Sequence, residues 1–217
     1  MIKMKLVEIT LNTKENFNDK ASEALRGYFG NHFKKIIDFH NHMDDEKVQY
    51  SFSYIQYRVI KGKLSLLGID RGADILLENI SKIKNITLND KEYIVEPEVK
   101  ITFPEIKITR NFQKYKFETP WFALNQDNFK KYKNGELLLS IQLRNNIIEF
   151  FKMCGVRAEE EICVEGNFIP HYIYVKKTKI LAFTGSFLAN VSLPNNITLG
   201  KRKSIGLGRI VKCEDSE

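Results

Sequence analysis

Histidines are the side chains of this sequence whose type and spacing best suit acid–base chemistry. The chain has four of them, and three, His32, His40 and His42, lie within eleven residues. In an extended backbone, residues two apart point to the same side, so His40 and His42 would face one groove. An imidazole titrates at about pH 6.5, so such a pair can act as general base and general acid near neutral pH. A ribonuclease that uses the 2′-hydroxyl group of its substrate needs such a general base and general acid and no metal ion.

Two other interpretations of the histidine pair stay open. Zinc sites need three or four ligands, so the pair would require further partners. Nearby carboxylates could complete such a set: Asp38, Asp44, Asp45 and Glu46. Alternatively, the polar stretch from Asp38 to Lys47 could be a solvated loop in which the histidines have no function. The remaining positions are less informative, since His32 fits a helix end and His171 fits a strand.

A second segment whose residues could bind a ligand has the sequence TLGKRKSIGLGR and spans residues 198–209. Its glycines would let backbone N–H groups approach a phosphate chain, and three consecutive basic residues supply positive charge. It is not a nucleotide-binding P-loop, because that motif needs a glycine where Asn195 stands and Ser or Thr where Arg202 stands. It is not a dinucleotide fingerprint either, because that loop opens a helix early in a βαβ unit. A glycine-rich hairpin with a solvated basic tip is the alternative.

Charge is distributed unevenly along the chain. The 217 residues carry a net charge of +7, of which residues 1–97 contribute +1 and the remainder +6. A basic half beside a neutral half is what a surface for a polyanion such as a nucleic acid would produce. The alternative explanation is compositional, since an AT-rich genome also enriches Lys, Ile and Asn.

Composition places the chain among ordinary globular proteins. It is 43% hydrophobic and 28% charged, which excludes disordered, fibrous and disulfide-stapled classes. The three cysteines, Cys154, Cys163 and Cys213, form no CxxC pair and fit a reducing compartment. No apolar run approaches the roughly 20 residues that a membrane span needs, and the N-terminal residues lack the apolar centre of a signal peptide. We therefore expect a soluble, cytoplasmic protein without a membrane partner.

Hydrophobic periodicity predicts a β-α-β-β-α-β order for the first part of the chain. The predicted strands and helices are, in order, Met4–Leu11, Lys20–Phe33, Tyr50–Ile60, Lys63–Ile69, Gly72–Ile83 and Ile86–Val95. This order is the ferredoxin-like, split βαβ arrangement. Aromatic residues on these strands, such as Tyr54 and Tyr57, could stack on bases, but packing in the core is the more common role for such residues.

The charged, proline-containing stretch at Pro97 is the best candidate for a domain boundary. It divides the chain into a domain of residues 1–96 and a domain of residues 97–217. The second part begins with irregular strands, continues with helices at Gln126–Tyr132 and Leu137–Met153, and then reads mainly as strands. The coarse architecture is therefore two α+β units in tandem.

Several stretches of the sequence together resemble a known protein family. They are LRGYFG at 25–30, FHNH at 39–42, YIQYRVI at 54–60 and GIDRGA at 68–73. The chain is similar to the CRISPR-associated endoribonucleases that cut precursor repeat RNA, the Cas6 family, and in particular to the branch found with type I-B systems. The glycine-rich segment resembles the signature of the wider repeat-associated RNA-binding superfamily, except that Thr198 stands where a first glycine is expected. Residues 97–180 carry no motif of the family.

This resemblance implies a fold, an activity and a set of partners. The fold would be tandem ferredoxin-like, RNA-recognition-type domains, and the activity would be metal-independent, cofactor-free cleavage of each repeat in the precursor transcript. The ribose 2′-oxygen would attack the adjacent phosphorus and leave a 2′,3′-cyclic phosphate and a 5′-hydroxyl. Precursor CRISPR RNA is the implied partner, with other CRISPR effector subunits and a second copy of the chain as further candidates.

The resemblance also assigns roles to particular residues. His40 and His42 fall at the histidines of the active-site segment, and Tyr50 is a third candidate for catalysis. The expected RNA-binding residues all lie in the glycine-rich segment: Gly200, Lys201, Arg202, Lys203, Ser204, Gly206, Gly208 and Arg209. There are two alternatives. One is a non-catalytic RNA-binding subunit on the same fold, and the other is a metal-dependent nuclease that uses the histidines with Asp44 or Asp45.

Overall fold

The computed structural model describes residues 3–39, 52–175 and 177–213. Within these ranges the chain forms two compact units. The N-terminal unit consists of Met4–Phe103 together with Ser204–Gly206. The C-terminal unit contains Lys3 and residues 104–203 and 207–213.

The N-terminal unit contains one four-stranded antiparallel sheet and two helices. Its elements are β1 (Leu6–Asn12), α1 (Ala21–His32), a 3-10 turn (Ile37–Phe39), β2 (Ile55–Ile60), β3 (Lys63–Ile69), α2 (Arg71–Ile80), β4 (Asn85–Leu88), β5 (Lys91–Ile94) and β6 (Glu96–Thr102). The strand order in the sheet is β2-β3-β1-β6. Both predicted helices and the first three predicted strands are therefore present.

Alternating apolar residues explain why β1 lies at the centre of this sheet. Val7, Ile9 and Leu11 are fully buried and belong to one core cluster with Leu25 and Phe29 of α1. In a strand, residues two apart share a face, so one face of β1 packs under the helices while the strand pairs with β3 and β6 on its two sides.

The final strand of this unit differs from the prediction. Residues 86–95, expected to form one strand, instead form the separate hairpin β4–β5. Asn89 and Asp90 have φ values of 48° and 64°, and two successive left-handed residues make the tight turn that reverses a hairpin. The fourth strand of the sheet is β6, which begins at Glu96, and Pro97 lies on this edge strand, where a missing N–H is tolerated.

The C-terminal unit repeats the same sheet order. Its elements are β7 (Lys107–Phe117), α3 (Gln126–Lys133), α4 (Leu139–Met153), β8 (Val164–Val175), β9 (Thr178–Ser192) and β10 (Ile210–Lys212). A 3-10 turn (Lys203–Ile205) lies in the connection between β9 and β10. The order β10-β7-β9-β8 places the first strand between the last and the third, as in the N-terminal unit. Both units therefore have the ferredoxin-like order that the sequence predicts, and the fold class is confirmed.

Two features distinguish the C-terminal unit from its N-terminal counterpart. The connection from β9 to β10, whose every residue is described, carries the glycine-rich segment instead of an α-helix. The division between the units falls between Phe103 and Pro104, further along the chain than the expected boundary, because Glu96–Thr102 continues the first sheet as β6. No helix in the described part of the chain is long and apolar enough to span a bilayer.

Candidate functional site

The residues expected to act in catalysis, His40, His42 and Tyr50, lie outside the described residues. The described chain reaches Phe39 on one side of them and resumes at Phe52 on the other. The contacts of these flanks show how the N-terminal unit holds the residues on either side of the histidine segment, defined here as residues 40–51.

Aromatic packing fixes the flank that leads into the histidine segment. Phe39 is 1% exposed, and its ring stacks on Phe33 at 4.5 Å and on Phe29 at 5.7 Å between ring centroids. Its carbonyl oxygen accepts a hydrogen bond of 2.9 Å from the hydroxyl group of Tyr57. Burial raises the pKa of Tyr57 far above its ordinary value, so this donor keeps its proton. The backbone position just before His40 is thus fixed by both packing and a buried hydrogen bond.

The flank that follows the histidine segment is tied to β3. The backbone N–H of Tyr54 donates to the carbonyl of Phe52 at 3.1 Å, and the carbonyl of Tyr54 accepts from the N–H of Ile69 at 2.9 Å. The rings of Phe52 and Tyr54 meet edge to face at 6.2 Å. Of the two residues considered for base stacking in the sequence, Tyr54 is half-buried, like its neighbour Phe52, and Tyr57 is a core residue.

The glycine-rich segment is a closed loop rather than an open cradle of N–H groups. Thr198 and Arg209 face each other across its base, and the N–H of Leu199 donates to the carbonyl of Gly208 at 2.9 Å. Further N–H groups are already engaged, since Lys201 donates to the carbonyl of Phe122 and Gly208 to that of Pro120. The chemistry that this loop can offer a ligand therefore lies chiefly in its exposed side chains.

Two glycines of this loop are required by geometry. Gly208 has φ +72°, and a Cβ there would lie 2.0 Å from the carbonyl oxygen of Leu199. Gly200 has φ +89°, and a Cβ there would lie 2.7 Å from the indole nitrogen of Trp121. Thr198, which departs from the family pattern, is buried, and its hydroxyl donates to the carbonyl of Lys203 at 3.0 Å. The Thr198 side chain thus forms a hydrogen bond across the inside of the loop.

The cations of this loop have different surroundings. Lys201 and Arg202 are exposed. The ammonium of Lys203 lies 2.5 Å from the carboxylate of Glu149, and its side chain is only 17% exposed. Arg209 is 9% exposed and donates to the amide oxygen of Asn196 at 3.1 Å. Ser204 is also buried, so Lys201 and Arg202 are the two cations of the segment best placed to meet a polyanion.

A second basic and aromatic surface was missed by the sequence reasoning. The hairpin of β8 and β9 exposes Tyr172 and Tyr174 by 53% and 69%, and the ammonium of Lys179 lies 4.4 Å from the centroid of the Tyr172 ring. Tyr172 pairs with Leu181, and Tyr174 pairs with Lys179, so these four side chains share one face of the hairpin. We call them the hairpin face. The Tyr-x-Tyr alternation on a predicted strand was the available signal.

The described ranges give no sign of a metal centre. Within residues 3–39, 52–175 and 177–213, no group of three or more His, Cys, Asp or Glu side chains is placed to hold a metal ion. Of the residues considered for zinc in the sequence, only Asp38 is described, and its carboxylate forms an ion pair with Arg71.

Comparison with known families covers nearly the whole chain. A family model described as the Cas6b N-terminal domain matches residues 2–102, and a model described as the Cas6b C-terminal domain matches residues 107–213. The chain belongs to the Cas6b family. The family indicated by the sequence motifs is therefore confirmed, and the two Cas6b domains correspond to the two units of the fold.

Solved Cas6b structures share this fold over their full length. The crystal structure of a Cas6b protein is 27% identical to this chain, with a TM-score of 0.89, and the match covers 98% of this chain and 100% of that one. A CRISPR RNA processing endoribonuclease Cas6b is 26% identical, with a TM-score of 0.77 and the same coverage. An uncharacterized protein of Methanocaldococcus jannaschii is 32% identical over 148 residues, which make up 64% of this chain and 99% of that protein.

Proposed function

We propose that this Cas6b protein is an endoribonuclease that cleaves the repeats of precursor CRISPR RNA without a metal ion. The observation that carries the proposal is the match of both Cas6b domains across nearly the whole chain, together with a full-length relative known as a CRISPR RNA processing endoribonuclease. The His-x-His pair supports the catalytic part, because a purely RNA-binding subunit would not need it.

The reaction is a transesterification within the RNA strand. One histidine of the pair His40 and His42 takes the proton of the ribose 2′-hydroxyl, and the 2′-oxygen bonds to the adjacent phosphorus. The bond from phosphorus to the 5′-oxygen breaks, and the other histidine gives its proton to that oxygen. The products are a 2′,3′-cyclic phosphate and a 5′-hydroxyl, with Tyr50 as a third catalytic candidate. Each assisted proton transfer typically contributes about 10²–10⁴-fold to the rate.

Lys201 and Arg202 would supply positive charge to the RNA backbone. Both are exposed, whereas the neighbouring Lys203 is neutralised by Glu149. The rigid, hydrogen-bonded loop beneath them presents the two cations without the entropic cost of ordering a flexible segment on binding. Gly200 and Gly208 contribute by allowing that backbone path.

The hairpin face would add contacts to bases. Exposed tyrosines stack on bases irrespective of sequence, and a neighbouring lysine adds charge attraction to the backbone. Tyr172, Tyr174 and Lys179 provide this combination within the half of the chain that carries most of the net positive charge.

Alanine substitution at His40 and His42 tests the catalytic assignment. Cleavage of a repeat RNA is measured under single-turnover conditions, and affinity is measured separately with an RNA that carries a 2′-deoxy sugar at the cut. We expect each variant to cut about 10²–10⁴-fold more slowly while binding RNA as tightly as the wild type. His171→Ala, a histidine on β8 outside the segment, is the matched control and should cut normally. Wild-type cleavage by both segment variants would overturn the assignment.

A further inference from the structure

The GIDRGA stretch at 68–73 forms the junction between β3 and α2, and neither the proposed catalytic residues nor the RNA-binding loop accounts for it. Asp70 occupies a left-handed backbone conformation, with φ +46°. It is held there by a reciprocal pair of hydrogen bonds, since its N–H donates to the carbonyl of Lys5 and its carboxylate accepts from the N–H of Lys5. This turn fixes the position of Arg71, the first residue of α2.

The glycines of the junction bring it against the flank that follows the histidine segment. A Cβ on Gly72 would lie 2.3 Å from the carbonyl oxygen of Tyr54. That same oxygen accepts the hydrogen bond from Ile69. Gly72, the residue after Arg71, therefore packs directly against the backbone of Tyr54, and only glycine permits this approach.

The side chain of Arg71 joins two residues that are far apart in sequence. Its guanidinium carbon lies 4.2 Å from the centroid of the Tyr54 ring. Its Nε and Nη2 atoms lie 3.0 and 2.9 Å from Oδ1 of Asp38. Asp38 immediately precedes Phe39 at the entrance to the histidine segment, and Tyr54 follows its exit. Arg71 thus bridges the two flanks of the residues that carry His40, His42 and Tyr50.

The chemistry of this bridge suits arginine in particular. A guanidinium is planar, so it can lie over an aromatic ring while its edge donates two hydrogen bonds, which an ammonium group cannot reproduce. The Asp38 side chain is only 16% exposed, so loss of its partner would leave a mostly buried carboxylate unpaired. The bridge is therefore more than an exposed surface ion pair, although the Arg71 side chain itself is 58% exposed.

We propose that Arg71 is a positioning residue for RNA cleavage: by bridging Asp38 and Tyr54, it fixes the distance between the two flanks from which the catalytic histidines depart. The inference rests on the proposed function of the histidine segment. General acid–base catalysis depends on the placement of the two imidazoles, and a displacement of about 1 Å can cost about 10²-fold in rate.

Arg71→Met tests the proposal, because methionine keeps the bulk of the side chain but loses the charge and the donors. We expect the single-turnover rate at saturating protein to fall on the order of 10- to 100-fold, with RNA affinity unchanged. Arg71→Lys, which keeps the charge, should recover only part of the rate. Asp38→Asn should also slow cleavage, and the double variant should be no slower than Arg71→Met, because both changes break one bridge.

The chain supplies a matched control in Lys91. Its ammonium lies 2.6 Å from the carboxylate of Glu15 and 5.1 Å from the centroid of the Tyr93 ring, and its side chain is 57% exposed. Lys91 therefore combines an ion pair with an aromatic contact at the same exposure as Arg71, but on the β4–β5 hairpin. Lys91→Met should cut at the wild-type rate.

Histidine NMR gives a readout that a general loss of stability would not produce. The protein has four histidines, so its Cε1–H signals can be assigned by substitution. In Arg71→Met, the signals of His40 and His42 should move, while that of His171 should stay. In Lys91→Met, none should move.

Three results would overturn the inference. The first is a wild-type rate in folded Arg71→Met, and the second is unchanged cleavage in Asp38→Asn, which decides the matter if Arg71→Met does not fold. The third is a loss of affinity in step with the rate and a salt slope reduced by about 0.7–0.9, which would make Arg71 a phosphate contact instead. If His40→Ala and His42→Ala both cut normally, the proposed function fails; if they are slow and Arg71→Met is not, only this inference fails.

Discussion

The hydroxyl group of Tyr57 donates a hydrogen bond of 2.9 Å to the carbonyl oxygen of Phe39, the residue that precedes His40. Phe39 and Tyr57 are each 1% exposed, so if one partner is removed, the other cannot form a replacement hydrogen bond with water. Tyr57 of β2, an edge strand of the N-terminal sheet whose side chains are mostly buried, thereby holds the backbone at the entrance to the histidine segment.

Tyr57→Phe removes only this hydroxyl group and leaves a buried carbonyl oxygen unpaired. We expect the free energy of unfolding to fall by about 1–3 kcal/mol, measured by urea denaturation, and cleavage to slow at a temperature where the variant is fully folded. Tyr115→Phe is the matched control, because the Tyr115 hydroxyl is also buried and donates to the carbonyl of Val191 at 2.9 Å. It should destabilise the protein without slowing cleavage. Equal rates for both variants would contradict the role of the Phe39 contact.

The same phenol gives a pH dependence with a definite sign. Burial raises the pKa of Tyr57 above its ordinary value of 10.0, so the folded state holds this proton more tightly than the unfolded state does. The corresponding stability is present below about pH 10 and is lost as the pH rises above it. Tyr57→Phe should therefore show a shallower decline of unfolding free energy above about pH 10 than the wild type does.

Gly208→Ala tests whether the glycine-rich loop depends on close backbone approach. Gly135→Ala is the control, because Gly135 has nearly the same φ, +75°, but no heavy atom within 4 Å of the added Cβ. Both variants carry the cost of a left-handed residue, about 1–2 kcal/mol, and only Gly208→Ala adds the clash with Leu199. We expect Gly208→Ala to unfold more readily and to bind RNA more weakly. Equal losses in the two variants would contradict the steric argument.

Lys201→Met and Arg202→Met should weaken RNA binding and flatten its dependence on salt. Each lost contact with a phosphate of single-stranded RNA reduces the slope of log K against log salt by about 0.7. Lys203→Met is the control, because its ammonium is already paired with Glu149, and its slope should match the wild type. Titrations at several salt concentrations give the slopes. An unchanged slope in the first two variants would show that the loop does not touch phosphate.

Tyr174→Ala tests the hairpin face as a stacking surface. Loss of one base–aromatic stack typically costs about 1–3 kcal/mol of binding free energy, so we expect RNA affinity to fall about five- to 150-fold. Ile169→Ala is the control, because Ile169 is 59% exposed on the same hairpin but pairs with Thr184 and so faces the opposite side. Wild-type affinity of Tyr174→Ala in a fluorescence titration would remove the hairpin face from the RNA interface.

Local sequence patterns predicted most of the elements but not every strand boundary. α3 and α4 follow from periodicity and end within a few residues of their predicted limits. The split of residues 86–95 into β4 and β5 was missed. The turn between them depends on the left-handed conformation of Asn89 and Asp90, which the sequence does not show directly. Pro97 indicated a linker, whereas an edge strand accommodates it equally well.

The contacts within the candidate site depend on tertiary structure that a single sequence does not reveal. Lys203 is paired with a carboxylate whereas Lys201 is exposed, and this difference depends on Glu149, a residue of α4 far away in the chain. Likewise, the contacts of Arg71 are with Asp38 and Tyr54, which lie well before it in the sequence. Periodicity predicted the ferredoxin-like order of the first unit, and the resemblance of several motifs indicated the family, whereas the partner of each charge is set by long-range packing.

The central claim is metal-independent cleavage by the ribose 2′-hydroxyl, and one assay tests it directly. The protein is incubated in excess EDTA with end-labelled repeat RNA, beside a substrate with a single 2′-deoxy sugar on the 5′ side of the cut. We predict site-specific cleavage of the ribose substrate with a 2′,3′-cyclic phosphate end, and none of the deoxy substrate at that position. Cleavage that needs added metal, or that proceeds on the deoxy sugar, would contradict the mechanism; tight binding without cleavage would contradict the enzymatic function itself.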